Sequence, residues 1–194
     1  MTTRCSDCRY TCLMPDFYDE HGRWQEVPGL DRFSLKADEG LAYDMGELAA
    51  QAVVDAGSNF GAMIDFSPAS LPELDRVLAT IYRDIPRGLI AKMRGKLLSE
   101  EQIYGMAMQW GAYLGEVLRL HHGFSWTVRH SVDDFDEGEY MFRDSLYIAP
   151  LSKVFKRLAD GPADDIKSYY YMLLEQSGDQ DSVDWGSWPD AGEH

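Results

Sequence analysis

Three cysteines near the start of the chain have a spacing that zinc sites use. Cys5, Cys8 and Cys12 form a C-x2-C-x3-C pattern, and His21 follows after eight intervening residues. Zinc prefers four thiolate or imidazole ligands in a tetrahedron, and C-x2-C lets two thiolates reach one ion. The spacing therefore predicts a Cys3His zinc site. A redox pair and three free thiols are the alternative interpretations, because no second C-x2-C pair is present.

A second group of reactive side chains lies at the end of a predicted long helix. Its members are Glu116, Arg119, His121 and His122. Glu116 and Arg119 are i, i+3 neighbours that can pair on a helix. With His122 they offer an acid/base or metal site, although no ligand motif such as H-E-x-x-H accompanies them. The competing interpretation is a buried Glu116 that a tryptophan or a backbone amide holds in place.

The charge of the chain favours a basic partner. The formal net charge is −15, and the acids concentrate in residues 133–150 and 177–194. Such a field repels phosphate backbones, so we expect no direct nucleic-acid binding. A cluster within seven residues is the predicted partner-binding surface: Asp133, Asp134, Asp136, Glu137 and Glu139. The alternative is that these charges only keep the protein soluble.

Targeting signals and catalytic signatures are missing from the sequence. No apolar run is long enough to cross a membrane, and the first residues lack the apolar core of a secretory signal, so we expect a cytoplasmic protein. A P-loop, a dinucleotide fingerprint and a G-x-S-x-G motif are also missing. Oligomeric state and substrate are not indicated by any motif.

Hydrophobic periodicity predicts an α+β fold that is mainly helical, with a small antiparallel β-sheet. The longest predicted helix follows Ser99, which forms a capping box with Gln102, and ends near Gly123. Ala107, Gly111 and Gly115 form a small-residue stripe on it, which predicts close packing by another element. Further expectations are a helix over 41–56 that stops at Gly57, a second capping box at Ser70 and Glu73, a helix over 87–98, and strands over 124–129 and 140–148.

Composition divides the chain into three predicted parts. Residues 1–36 form an irregular arm that contains the cysteines, residues 37–176 form a single α+β domain, and residues 177–194 form an acidic tail.

Several strings within residues 60–172 resemble a group of small bacterial proteins that has no assigned function. The strings are Ser67-Pro68-Ala69-Ser70-Leu71 followed by Leu74-Asp75, then Tyr113-Leu114-Gly115-Glu116-Val117, then Gly123-Phe124-Ser125-Trp126, then Pro150-Leu151-Ser152-Lys153-Val154-Phe155-Lys156-Arg157. The resemblance transfers no catalytic residue. By analogy with small acidic immunity proteins, it implies a toxin as the basic partner.

The sequence as a whole favours a non-enzymatic protein-binding module. The more specific form of this hypothesis is an immunity-type inhibitor of a toxin. The first alternative is a small metal-assisted enzyme that uses Glu116 and His122. The second is a regulatory module that zinc stabilises through Cys5, Cys8, Cys12 and His21.

Overall fold

A computed structural model describes residues 36–129, 138–144 and 146–179. This part of the chain forms six α-helices and a three-stranded antiparallel sheet, in the order ααααβββαα. The expected mainly helical α+β class is confirmed. None of the helices in this part is long and apolar enough to cross a membrane.

Helix α1 spans Glu39–Phe60 and is capped at both ends. The Asp38 carboxylate accepts a hydrogen bond from the Leu41 amide at 2.9 Å, as N-cap aspartates do. The predicted stop at Gly57 is wrong, because the helix continues to the left-handed residue Gly61. The Ala62 amide then donates to the Ala56 carbonyl at 2.9 Å and closes the turn.

Helices α2 (Leu71–Asp84) and α3 (Gly88–Met93) follow a short 3-10 turn over Pro68–Ser70. The predicted capping box at Ser70 is wrong, because its hydroxyl bonds to the Ser67 carbonyl and to the Tyr113 hydroxyl instead. Glu73 pairs with Arg76 at 2.6 Å. The helix expected over 87–98 is limited to α3, which ends in a turn that the Gly95 amide closes on the Lys92 carbonyl.

Helix α4 (Glu100–His122) is the central element and packs against α1 and α5 (Pro150–Ala159). The predicted capping box between Ser99 and Gln102 is confirmed. The small stripe is a packing surface, as expected. A Cβ at Gly111 would lie 2.6 Å from the Leu151 Cα of α5, and one at Gly115 would collide with the indole ring of Trp126.

The sheet consists of β1 (Ser125–Arg129), β2 (Gly138–Arg143) and β3 (Leu146–Ile148), in that order. Trp126 pairs with Met141, which pairs with Ile148, and all three side chains are buried. The single strand expected over 140–148 is wrong. Arg143 pairs with Leu146 across a tight turn, in which Asp144 takes a positive φ of 52°. On the outer side of β1, the Asp38 amide donates to the Trp126 carbonyl at 2.9 Å.

Helix α6 (Ile166–Ser177) follows α5 and a 3-10 turn over Pro162–Asp164. Asp165 caps it by accepting a hydrogen bond from the Ser168 amide at 2.7 Å. Side-chain contacts of the folded body continue to Asp179, three residues beyond the expected domain boundary at 176. Nearly all of the predicted arm and the predicted tail beyond Asp179 lie outside the described residues.

Candidate functional site

Glu116 is buried on α4 and is fully engaged by two neighbours. The Trp126 indole nitrogen donates to its Oε1 at 2.8 Å, and the Arg119 guanidinium donates to both of its oxygens at 2.8–2.9 Å. The absent side chain at Gly115 lets the indole reach this position. The interpretation of Glu116 as a carboxylate held by a tryptophan is therefore confirmed.

His122 lies at the centre of a separate network, which we call the Asp179 clasp: His122, Arg143, Tyr170 and Asp179. The His122 Nδ1 lies 3.3 Å from Asp179 Oδ2, and its Nε2 lies 2.5 Å from the Tyr170 hydroxyl. Arg143 also donates to the Asp179 carboxylate. A carboxylate only accepts, so we assign the imidazole proton to Nδ1, and the Tyr170 hydroxyl then donates to Nε2.

The electrostatics of the Asp179 clasp keep its histidine and its tyrosine neutral. Burial lowers the pKa of His122, although its hydrogen bond to the Asp179 carboxylate opposes the shift. Burial likewise raises the pKa of Tyr170. Hydrogen bonds from Arg143 hold the pKa of Asp179 below its usual range. The clasp therefore joins the end of α6 to α4 and β2 through one charged pair and two neutral groups.

The two halves of the predicted acid/base site do not come together. Glu116 and His122 are six residues apart on α4, which places them about 120° apart around the helix axis. Each is bonded to a different set of partners, and the Tyr170 hydroxyl of the clasp is completely buried. Among the described residues, no group of three His, Cys, Asp or Glu side chains could hold a metal ion.

The buried neutral His122 predicts a specific dependence of stability on pH. The unfolded chain takes up a proton at this residue as the pH falls through about 6.5, whereas the folded chain resists it. The free energy of unfolding should therefore fall between pH 7 and pH 5, by at most about 1.4 kcal/mol per pH unit. Urea unfolding across this range should show that slope in the wild type and a flatter one in His122→Gln.

His121→Gln is the matched control for this measurement. His121 is the adjacent residue, but it is exposed, and its one hydrogen bond to a described residue is to the Phe66 carbonyl, at 3.0 Å. We expect the slope to survive that substitution. A slope that flattens equally in both variants would show that burial of His122 is not its origin. Asp179 changes the free energy of unfolding only at pH values near and below its ordinary pKa of 3.8, which lie outside the range from pH 7 to pH 5.

The outward side of α1 carries an acidic and partly apolar surface, which we call the acidic α1 face: Tyr43, Asp44, Glu47 and Val54. Tyr43, Glu47 and Val54 follow helical spacing, and Tyr43 and Val54 are 68% and 60% exposed. α1 contains four carboxylates and no lysine or arginine. Asp44 and Glu47 form no ion pair with any described residue.

No known family model, curated protein or solved structure is detectably similar to this chain. The resemblance to small bacterial proteins thus stays a hypothesis.

Most of the predicted site residues lie outside the described part of the chain. This applies to the predicted zinc ligands, Cys5, Cys8, Cys12 and His21, and to the acidic loop residues Asp133, Asp134, Asp136 and Glu137. Glu139 lies in β2 and accepts a hydrogen bond from the Tyr104 hydroxyl at 3.3 Å. The zinc site remains a prediction.

Sequence reasoning missed the acidic α1 face because it concentrated on clusters of consecutive acids. On a helix, a charged surface is built from residues three and four apart. The signal was present in the sequence, since residues 37–75 contain no lysine or arginine.

Proposed function

We propose that the protein is a non-enzymatic binding module that docks a basic protein partner on the acidic α1 face. The single observation that carries the proposal is the unbalanced charge of α1. Elsewhere in the described fold, several carboxylates have cationic partners, as in the pairs Glu73–Arg76, Asp75–Arg157 and Lys153–Asp164. Asp44 and Glu47 are instead left to solvent beside two large exposed apolar side chains.

This combination of side chains suits a partner with cations around an apolar centre. Carboxylates steer a basic partner and set its orientation. Tyrosine is enriched among the residues that dominate binding energy, because it buries a large apolar ring and retains a polar end. Val54 lies eleven residues after Tyr43 and so on nearly the same side of the helix. An immunity-type inhibitor is one form of this function, in which the basic partner is a toxin.

Selection from a library of short random peptides tests the proposal without a known partner. We expect enrichment of peptides that combine lysine or arginine with aromatic or aliphatic residues. The affinity of the best peptide should fall about tenfold or more, equivalent to about 1.4 kcal/mol, in Tyr43→Ala and in the double variant Asp44→Lys/Glu47→Lys. Titration by isothermal calorimetry at roughly physiological ionic strength would measure it.

The matched control changes the net charge equally at another place. Asp160→Lys/Glu175→Lys alters two exposed acids near the ends of α5 and α6, where cations suit the helix dipole. This variant should bind the selected peptides within about twofold of the wild type, a difference that corresponds to about 0.4 kcal/mol. Equal loss in both double variants would show that only bulk charge attracts the peptides, and the proposal would fail.

A further inference from the structure

A basic surface is exposed at the end of α3 on this otherwise acidic protein. We call it the basic ridge and define it as Lys92, Met93, Arg94, Lys96 and Leu97. All five side chains are exposed, with Met93 at 80% and Leu97 at 47%. Residues 92–97 contain three cations and no acid. None of the three cations forms an ion pair with a described residue.

The neighbouring Arg87 differs from the cations of the basic ridge because its side chain is held by contacts within the fold. Its guanidinium donates to the Leu158 carbonyl at 2.6 Å and to the Ile85 carbonyl at 3.2 Å, and it lies 3.7 Å above the ring of Tyr82. Arg87 thus ties the start of α3 to the end of α5. Lys92, Arg94 and Lys96 make no such contacts with the described residues, so the folding of this part of the chain does not explain them.

We propose that the basic ridge of one copy of this chain docks on the acidic α1 face of a second copy. The inference rests on the proposed function, because it uses the same face and names its partner. The two surfaces are complementary in charge, since one carries Asp44 and Glu47 and the other Lys92, Arg94 and Lys96. Each also presents two large exposed apolar side chains, Tyr43 and Val54 on one and Met93 and Leu97 on the other.

A contact between two different surfaces of the same chain has a defined consequence for assembly. Such a head-to-tail contact leaves one unused face and one unused ridge in every pair, so copies add until a ring closes or a chain grows. The net charge of −15 opposes association at long range. At roughly physiological ionic strength the Debye length is about 8 Å. Salt therefore screens this long-range repulsion more strongly than it screens the attraction between side chains in contact.

Two surface variants and their mixture test the proposal. The face variant is Asp44→Lys/Glu47→Lys, and the ridge variant is Lys92→Gln/Arg94→Gln/Lys96→Gln, which is neutral so that it cannot pair with the lysines of the face variant. The wild type should show a mass that rises with concentration in sedimentation velocity at roughly physiological ionic strength. Each variant alone should stay monomeric. An equimolar mixture should form pairs and stop there, because only one intact face and one intact ridge remain to meet.

Net charge alone makes the opposite prediction for the face variant. The substitution makes the chain less negative, so bulk electrostatics would increase self-association, whereas the proposal predicts its loss. The control variant Asp160→Lys/Glu175→Lys changes the charge equally and should associate at least as well as the wild type. Met93→Ser/Leu97→Ser leaves the charge unchanged and should also weaken association.

Two results would overturn the inference. The first is a wild type that stays monomeric at all concentrations, and the second is a mixture that behaves like the separate variants. If the monomeric wild type binds anionic lipid vesicles or an oligonucleotide through its ridge, that partner takes the place of the second copy. If the chain is monomeric but selected basic peptides still need Tyr43, Asp44 and Glu47, only the second copy is excluded and the proposed function stands. If those peptides also bind independently of the face, both fail.

Discussion

Gly111→Ala should lower the free energy of unfolding by about 3 kcal/mol, the upper part of the range for overpacked cores. The added Cβ would lie 2.6 Å from the Leu151 Cα and 3.1 Å from the Leu151 nitrogen. Both atoms belong to the backbone of α5, so no side-chain rotation can relieve the collision. Helices α4 and α5 would have to separate, which would loosen the largest helix interface in the described fold. Urea unfolding followed by circular dichroism measures the loss.

Gly105→Ala in the same helix is the control for helix propensity. Gly105 is exposed, and a Cβ there meets no atom within 4 Å. Alanine is favoured over glycine inside a helix by about 1 kcal/mol. This variant should therefore be more stable than the wild type by up to that amount. If both alanine variants were stabilised, the close approach of α5 to Gly111 would be refuted.

Asp75→Ala should destabilise the protein by about 3 kcal/mol, the lower end of the cost of leaving a buried charge without its partner, because Arg157 is buried whereas the Asp75 side chain is 26% exposed. Arg157 is 2% exposed, and its Nε and Nη2 donate to the Asp75 carboxylate at 2.9 and 3.2 Å. The same carboxylate accepts from the Ile166 amide at 3.2 Å, at the start of α6. Removing it leaves a buried guanidinium whose Nη1 already has no partner among the described residues.

Glu73→Ala provides a matched comparison two residues earlier on α2. Its pair with Arg76 joins neighbouring turns and is partly exposed. Such pairs contribute about 0–1 kcal/mol. Thermal unfolding of both variants should therefore show a small shift for Glu73→Ala and a large one for Asp75→Ala. Asp75→Asn keeps one acceptor oxygen and should lie between them. Equal shifts for the two alanine variants would show that burial of Arg157 adds nothing.

Features governed by local spacing could be predicted from the sequence. The capping box at Ser99 depends on residues three apart, and it forms as expected. The stripe of Ala107, Gly111 and Gly115 indicated the side of α4 that neighbours approach closely. The burial of Glu116 matches one of the two interpretations of the helix-end cluster, in which a tryptophan or a backbone amide holds it, and the partner is Trp126, ten residues further along the chain.

Features governed by distant contacts could not be predicted in this way. The Ser70 hydroxyl has the right spacing for a helix cap, but Tyr113 lies 43 residues away and binds it at 2.5 Å. The chain reverses at Asp144 because of a positive φ, which is uncommon for residues other than glycine. This reversal has a local signal that the predicted single strand overlooked, because Arg143, Asp144 and Ser145 form a polar run between two apolar stretches.

The Asp179 clasp also depends on contacts between distant parts of the chain and could not be predicted from the sequence. His122, Arg143, Tyr170 and Asp179 come from four separate parts of the chain, and no spacing rule relates them. Asp179 was expected to belong to a tail on the basis of composition alone. Composition cannot distinguish an acid that faces solvent from one that a distant arginine binds.

The hydrogen bond between the Asp38 amide and the Trp126 carbonyl bears on the resistance of the protein to aggregation. Edge strands offer unpaired backbone groups to strands of other molecules, and proteins protect such edges by covering or shortening them. Here β3 is only three residues long, and the start of α1 occupies a carbonyl on the outer side of β1. The same residue caps α1 through its side chain. Fraying of the first turn of α1 would therefore free this carbonyl for strand addition, so the stability of a helix end bears on how readily the sheet can recruit another chain.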